Sequence, residues 1–248
     1  MQDVSELRRR EVETYFGVIA RGGSDRRLRA RSFHCLGEFD DGDYERLSTT
    51  LLDADATSSF SFLGRDAERY AGTIERLDDA GHEIVLHGHR HVACADVSYD
   101  LAHENLSRGL DAVEDAAGVT PRGFIAPGQE VNAATLRAVE ELGMDWVLGR
   151  TDAAVPDGVE FHEPAHPYDL LLLNEGRDPA ETFDRLREQT EPGVAHLVHP
   201  NMLDYYGARE EFEAWLAETG PVSVGTLVAG DGEGVGLIND AMRPLRLE

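Results

Sequence analysis

Residues Gly81-His82-Glu83-Ile84-Val85-Leu86-His87-Gly88-His89-Arg90-His91 hold four of the chain's ten histidines. His87 and His91 are four apart. On a helix, positions i and i+4 share a face with Cβ atoms about 5–6 Å apart, so two imidazoles can grip one metal ion. If the extended run Glu83 to Leu86 instead continued past Gly88, a period of two would align His87, His89 and His91. Either geometry clusters ligands. An isolated pair at this spacing is more often a polar loop, so the metal reading depends on the other reactive residues.

Those residues lie after other extended runs. Asp40-Asp41-Gly42 follows Ser32 to Phe39, Pro127-Gly128 follows Gly123 to Ala126, and His199-Pro200 follows Ala195 to Val198. In β/α barrels the reactive groups gather at the carboxyl ends of the strands. Two carboxylates and three histidines would thus reach one rim. One carboxylate and two neutral imidazoles leave a divalent metal an open position, the mark of a catalytic site, and a neighbouring aspartate and histidine can move protons.

The elements that must position these groups alternate. The pattern predicts helices over 3–20, 44–52, 67–80, 101–117, 133–142, 180–189 and 209–218. It predicts strands over 32–39, 59–63, 83–86, 123–126, 146–148, 169–173, 195–198 and 222–224. Leu106, Leu110 and Val113 form an inner helical face, and Asn132 and Gly143 delimit the helix at 133–142. The helix at 3–20 reads as a cap or interface and not as a site. No repeat or linker divides the chain. The alternation implies a mostly parallel sheet covered by helices, either a closed or nearly closed barrel or an open doubly wound sheet.

Composition limits the function. Apolar residues make up 41% of the 248, and 48 acidic residues face 23 basic ones for a net charge of −25. Every basic residue is arginine; lysine is absent. Such a surface repels itself in dilute buffer, whereas at molar salt the Debye length falls to about 3 Å. The composition is that expected of a salt-accumulating halophile, and it opposes nucleic-acid binding, which needs a basic footprint. Cys35 and Cys94 make no disulfide framework. Cys94 could be a soft ligand, but reads as a buried, inert thiol. Arg8-Arg9-Arg10 begins like an export signal, but Glu11, Glu13, Gly17 and Arg21 interrupt the apolar run it needs. No stretch reaches the roughly 20 apolar residues of a membrane span. A soluble, cytoplasmic protein is expected.

Taken in order, these motifs resemble the polysaccharide deacetylase family (the NodB-homology domain, similar to carbohydrate esterase family 4). Phe39-Asp40-Asp41-Gly42 matches its Phe-Asp-Asp-Gly motif, Ser59 to Gly64 its second strand, His87 and His91 its His-x-x-x-His pair, and Leu197-Val198-His199 its late Leu-x-His motif. The likeness spans residues 32–228. It implies an α/β fold, a distorted, incomplete (β/α) barrel of about seven parallel strands, with residues 1–30 as a helix and link and 31–248 as the catalytic domain. It implies Asp40 as general base, His199 as general acid, and Asp41, His87 and His91 as ligands of a divalent metal, with zinc expected. The implied reaction removes an acetyl group from an N-acetylated sugar by hydrolysing a linear amide C–N bond. The implied substrate is a small molecule or oligosaccharide. The alternatives are a metal-dependent amidase of a small non-sugar amide, or an impaired homologue that binds a glycan or metabolite. The chain departs from the family at Ile125, where an arginine usually holds the catalytic aspartate, and at Gly128, where an aromatic is common. The family's fourth-motif aspartate has two candidates, Asp145 and Asp152.

Overall fold

The computed structural model describes residues 4–20, 39–230 and 234–240. Its elements in order are α1 (Val4–Ala20), α2 (Asp41–Asp53), β1 (Ser59–Phe62), α3 (Ala71–Asp79), β2 (Glu83–Leu86), α4 (Tyr99–Ala117), β3 (Gly123–Glu130), α5 (Ala133–Glu141), β4 (Trp146–Arg150), β5 (Glu160–His162), α6 (Asp169–Glu175), α7 (Pro179–Glu188), β6 (Ala195–Val198), α8 (Pro200–Tyr206), α9 (Arg209–Thr219), α10 (Val224–Ala229) and β7 (Gly236–Asn239). The seven strands form one sheet in the order β5-β4-β3-β2-β1-β7-β6. Every ladder with a recorded register is parallel. Just beyond β5, Pro164 bridges Ala195 of β6 in parallel. The fold is α/β, with the seven parallel strands of an incomplete (β/α) barrel.

The chain forms two compact units, one from the described residues of Met1–Thr14 and Ser61–Glu163, the other from those of Tyr15–Phe60 and Pro164–Glu248. In the first, Phe62, Phe124 and Trp146 are fully buried. Gly123 is required beneath Trp146, because a Cβ there would lie 2.1 Å from the indole. The Trp146 Nε1–H donates to Glu83 Oε1 at 3.0 Å, satisfying its polar edge. Helix α4 starts at Ser98, whose side chain accepts from the Leu101 N–H, and buries Ala102, Asn105, Leu106, Gly109 and Val113 at helical spacing. Leu110, expected on that face, is half-buried. In the second unit Phe60, Phe183, Phe212 and Trp215 supply the large buried side chains.

Several sequence expectations fail for local reasons. Residues 169–173 form helix α6, with Tyr168 as extended N-cap and Gly176 as left-handed C-cap. The Leu170–Leu173 run suits a buried helix as well as a strand, and periodicity alone does not separate them. At 222–224 only Val222 makes a bridge, to Gly236; Ser223 then caps helix α10 by accepting from the Thr226 N–H. The expected strand at 32–39 lies outside the described residues except at Phe39. Strands β5 and β7 were not foreseen. The slot between β1 and β6 belongs to β7, near the chain's end.

Candidate active site

The loop after β2 carries the histidine pair. It is neither the helix nor the continued strand that the spacing allows. Gly88 has φ +88°, and a Cβ there would sit 2.7 Å from Asn105 Nδ2 and 2.9 Å from the Arg90 carbonyl. Only glycine fits that turn. Asn105 of α4 closes the loop, accepting from the Arg90 N–H at 2.9 Å and donating to the Arg90 carbonyl at 3.1 Å. The result brings the His87 and His91 rings to 4.9 Å between centroids, tilted by 53°. His87 and His91 are both buried.

His87 is held by one edge of its ring. Its Nδ1 lies 2.7 Å from the Ile125 carbonyl, which only accepts, so Nδ1 carries the hydrogen. In the neutral ring this hydrogen bond leaves the lone pair at Nε2, the tautomer that an outer hydrogen bond fixes in metal-ligating histidines. Ile125 thus contributes a backbone oxygen to this ring, while its side chain is 1% exposed. His89 lies among Arg65, Arg90 and Arg108, and burial followed by these charges pushes it down to about 4.

Helix α1 does more than the expected cap. Glu11, wholly buried, holds Arg65 Nε at 3.0 Å and Arg90 NH1 at 2.8 Å, and accepts the backbone N–H of His91 at 3.1 Å. Thr14 Oγ1 accepts the Ala93 N–H at 3.2 Å. The histidine loop is therefore pinned from α4 and α1 within the same unit. Cys94 is buried and its thiol is pushed up to about 12 by burial, which makes it the inert thiol expected.

In the second unit, Asp40 and Asp41 open helix α2. Asp40 is the N-cap: its Oδ1 accepts the Asp43 N–H at 3.0 Å, and its own N–H donates to Asp43 Oδ2 at 2.8 Å. This reciprocal box fixes the turn and uses one oxygen of Asp40. Asp41 follows as an exposed first-turn residue. Phe39 is buried and meets Tyr44 edge-on at 4.8 Å between centroids, which anchors the segment.

His199 follows β6 as the N-cap residue of α8, with Pro200 at the first helical position. Both oxygens of Asp169 grip it: Oδ2 accepts its backbone N–H at 2.8 Å, and Oδ1 accepts Nδ1–H at 2.8 Å. Tyr168 packs on the ring at 5.5 Å between centroids. Burial alone would push the His199 imidazole down, but the Asp169 charge and hydrogen bond, with Asp240, raise it above its ordinary value. Neither aspartate considered from sequence has this place. Asp145 pairs with Arg122 at 2.5 Å on the surface, and Asp152 is exposed. Asp169 was hidden by reading its segment as a strand; the signal available was its position directly after Pro167-Tyr168, ahead of a leucine run.

Among the described residues, no three His, Cys, Asp or Glu side chains gather closely enough to hold a metal. The imidazole pair and the tautomer of His87 fit two positions of a ligand set. No helix among the described residues is long and apolar enough to cross a membrane.

The parallel α/β sheet carries a histidine pair beyond β2 in one unit and a carboxylate-gripped histidine beyond β6 in the other. The resemblance read from the motifs holds: the polysaccharide deacetylase family model matches residues 35–147. Similar solved structures include a Mycobacterium smegmatis protein described as a polysaccharide deacetylase (23% identity, 92% of this chain and 84% of that one, TM-score 0.63). A family 4 acetyl xylan esterase from Clostridium thermocellum, in complex with a cobalt ion, shares 16% identity over 82% of this chain and 85% of its own, TM-score 0.55. A family 4 carbohydrate esterase pseudoenzyme from Bacillus anthracis shares 15% identity over 84% and 67%, TM-score 0.56. These structures establish a carbohydrate esterase family 4 deacetylase fold.

Proposed function

We propose that this chain is a metal-dependent deacetylase that hydrolyses the acetamide of an N-acetylated sugar or related amide, with residues 31–248 as its catalytic domain. The observation that carries the reading is the Asp169–His199 grip, which fixes a histidine whose raised pKa suits a general acid. The metal ligands, taken from the family motif, are Asp41, His87 and His91. Zinc suits one carboxylate and two imidazoles, and the cobalt of the acetyl xylan esterase supports a divalent ion. A metal held there would polarise the acetyl carbonyl and acidify a water.

The chain's own groups supply the proton steps. Asp40 accepts a proton from the attacking water through the oxygen not used in its cap. His199 donates its Nε2 proton to the leaving nitrogen as the C–N bond breaks, while Asp169 holds the ring in place and offsets its charge. Acetate and a free amine result. The second reading is a homologue that binds without turnover, favoured by Ile125 in the arginine position and by the pseudoenzyme among the similar structures. Acetate release from N-acetylated sugars and small acetamides at molar KCl, by metal-stripped and zinc-reloaded protein, tests both. Deacetylation predicts acetate only after reloading; no acetate from any acetamide by the reloaded protein would leave the binding reading.

A further inference from the structure

His199 has a second carboxylate in view, on a strand that the motifs did not anticipate. Strand β7 lies between β1 and β6, with Val198 opposite Asn239. The next residues, His199 and Asp240, therefore leave the carboxyl ends of neighbouring strands side by side, and the Asp240 N–H donates to the Val198 carbonyl at 2.9 Å. Asn239 turns to the opposite face, where its amide donates to Ser58 Oγ at 2.6 Å. Asp240 Oδ2 stands 4.0 Å from His199 Nε2, and both side chains are buried.

We propose that Asp240 is a positioning residue of the acid–base group. Asp169 anchors Nδ1 of His199, and Asp240 faces Nε2 across an ion-pair distance that is too long for a hydrogen bond. The two carboxylates thus divide the labour on one ring. Asp169 orients it through direct hydrogen bonds. Asp240 favours the protonated ring without capturing the proton that Nε2 must give away. Asp169 of α6, Asp240 after β7 and the Tyr168 ring all face this imidazole. The raised pKa of His199 has Asp240 among its causes, in keeping with the geometry.

The proposal deepens the reading of His199 as general acid and rests on it, so its test has two arms. In the first, the His199 ring is titrated by NMR in metal-free wild type, Asp240→Asn and Asp240→Glu at molar KCl. Asp240→Asn is expected to lower the titration midpoint by about one pH unit, the lower end of the usual effect of an opposite charge at this range. Asp240→Glu is expected to retain most of the wild-type value. Asp240→Ser serves as the neutral variant if Asp240→Asn does not fold. Identical midpoints in wild type and a folded neutral variant would overturn the proposal.

In the second arm, the basic limb of the pH–rate profile for acetate release is followed in the same proteins. It is expected to move to lower pH with the NMR midpoint. If the midpoint shifts but the limb does not, His199 is not the acid and the functional reading fails, while the electrostatic pairing with Asp240 stands.

Discussion

Glu11 offers the sharpest perturbation. Its carboxylate is wholly buried and pairs with Arg90 NH1 at 2.8 Å and Arg65 Nε at 3.0 Å. Glu11→Gln keeps the shape and removes the charge. Arg65 retains Asp66 at 3.7 Å, but Arg90 loses the only carboxylate recorded against it among the described residues. Removing one partner of a buried pair costs roughly 3–5 kcal/mol because the other charge stays desolvated. At about 2–4 °C per kcal/mol for a chain of this size, the melting midpoint should fall by about 6–20 °C. Thermal unfolding of metal-free protein at molar KCl, followed by far-UV circular dichroism, measures it. Buried pairs are screened far less than surface charges, so the difference from wild type should persist across salt concentrations. A Glu11→Gln midpoint equal to wild type, or a difference that vanishes with added salt, would refute the reasoning.

Three further outcomes follow from the same structure. Asp169→Asn should leave metal content intact and lower turnover by roughly 10²–10⁴, the range for general acid–base groups; unchanged turnover would remove the grip from the mechanism. With 48 acidic residues and no lysine, the wild-type melting midpoint should climb from dilute buffer to molar KCl; a flat midpoint would exclude the halophilic reading. His82 and His196 are both pushed down to about 4 by burial, so the unfolded chain binds their protons first as pH falls through its ordinary value of roughly 6.5. Their contribution to stability is present above that pH and is lost between there and about 4. His82→Gln and His196→Gln should each flatten the stability–pH slope in that window, and an unaltered slope would contradict it.

How much the sequence revealed depended on whether a signal was local. The Gly88 turn and the strands before His87 and His199 are set by neighbours a few positions away, and alternation alone indicated a parallel α/β fold. The structure shows His87 and His91 together, although neither the helix nor the strand that motivated the pair is formed. Three partners escaped because each depends on distant packing. Asp169 sits in an apolar run whose helix is selected by burial and not by periodicity. Asp240 matters only because β7 returns from the chain's end to lie beside β6. Glu11 looks like one acidic residue among many on an amphipathic helix until arginines from two other segments, Arg65 and Arg90, close on it.

The central claim is a divalent metal held by His87, His91 and Asp41, and the metal content of purified variants tests it most directly. Wild type, His87→Ala, His89→Ala and Asp41→Asn would be reloaded with zinc at molar KCl, desalted and assayed by elemental analysis. The claim predicts zinc bound in wild type and in His89→Ala, whose ring lies among arginines, and sharply lower zinc in His87→Ala and Asp41→Asn. Equal zinc in wild type and His87→Ala would contradict it.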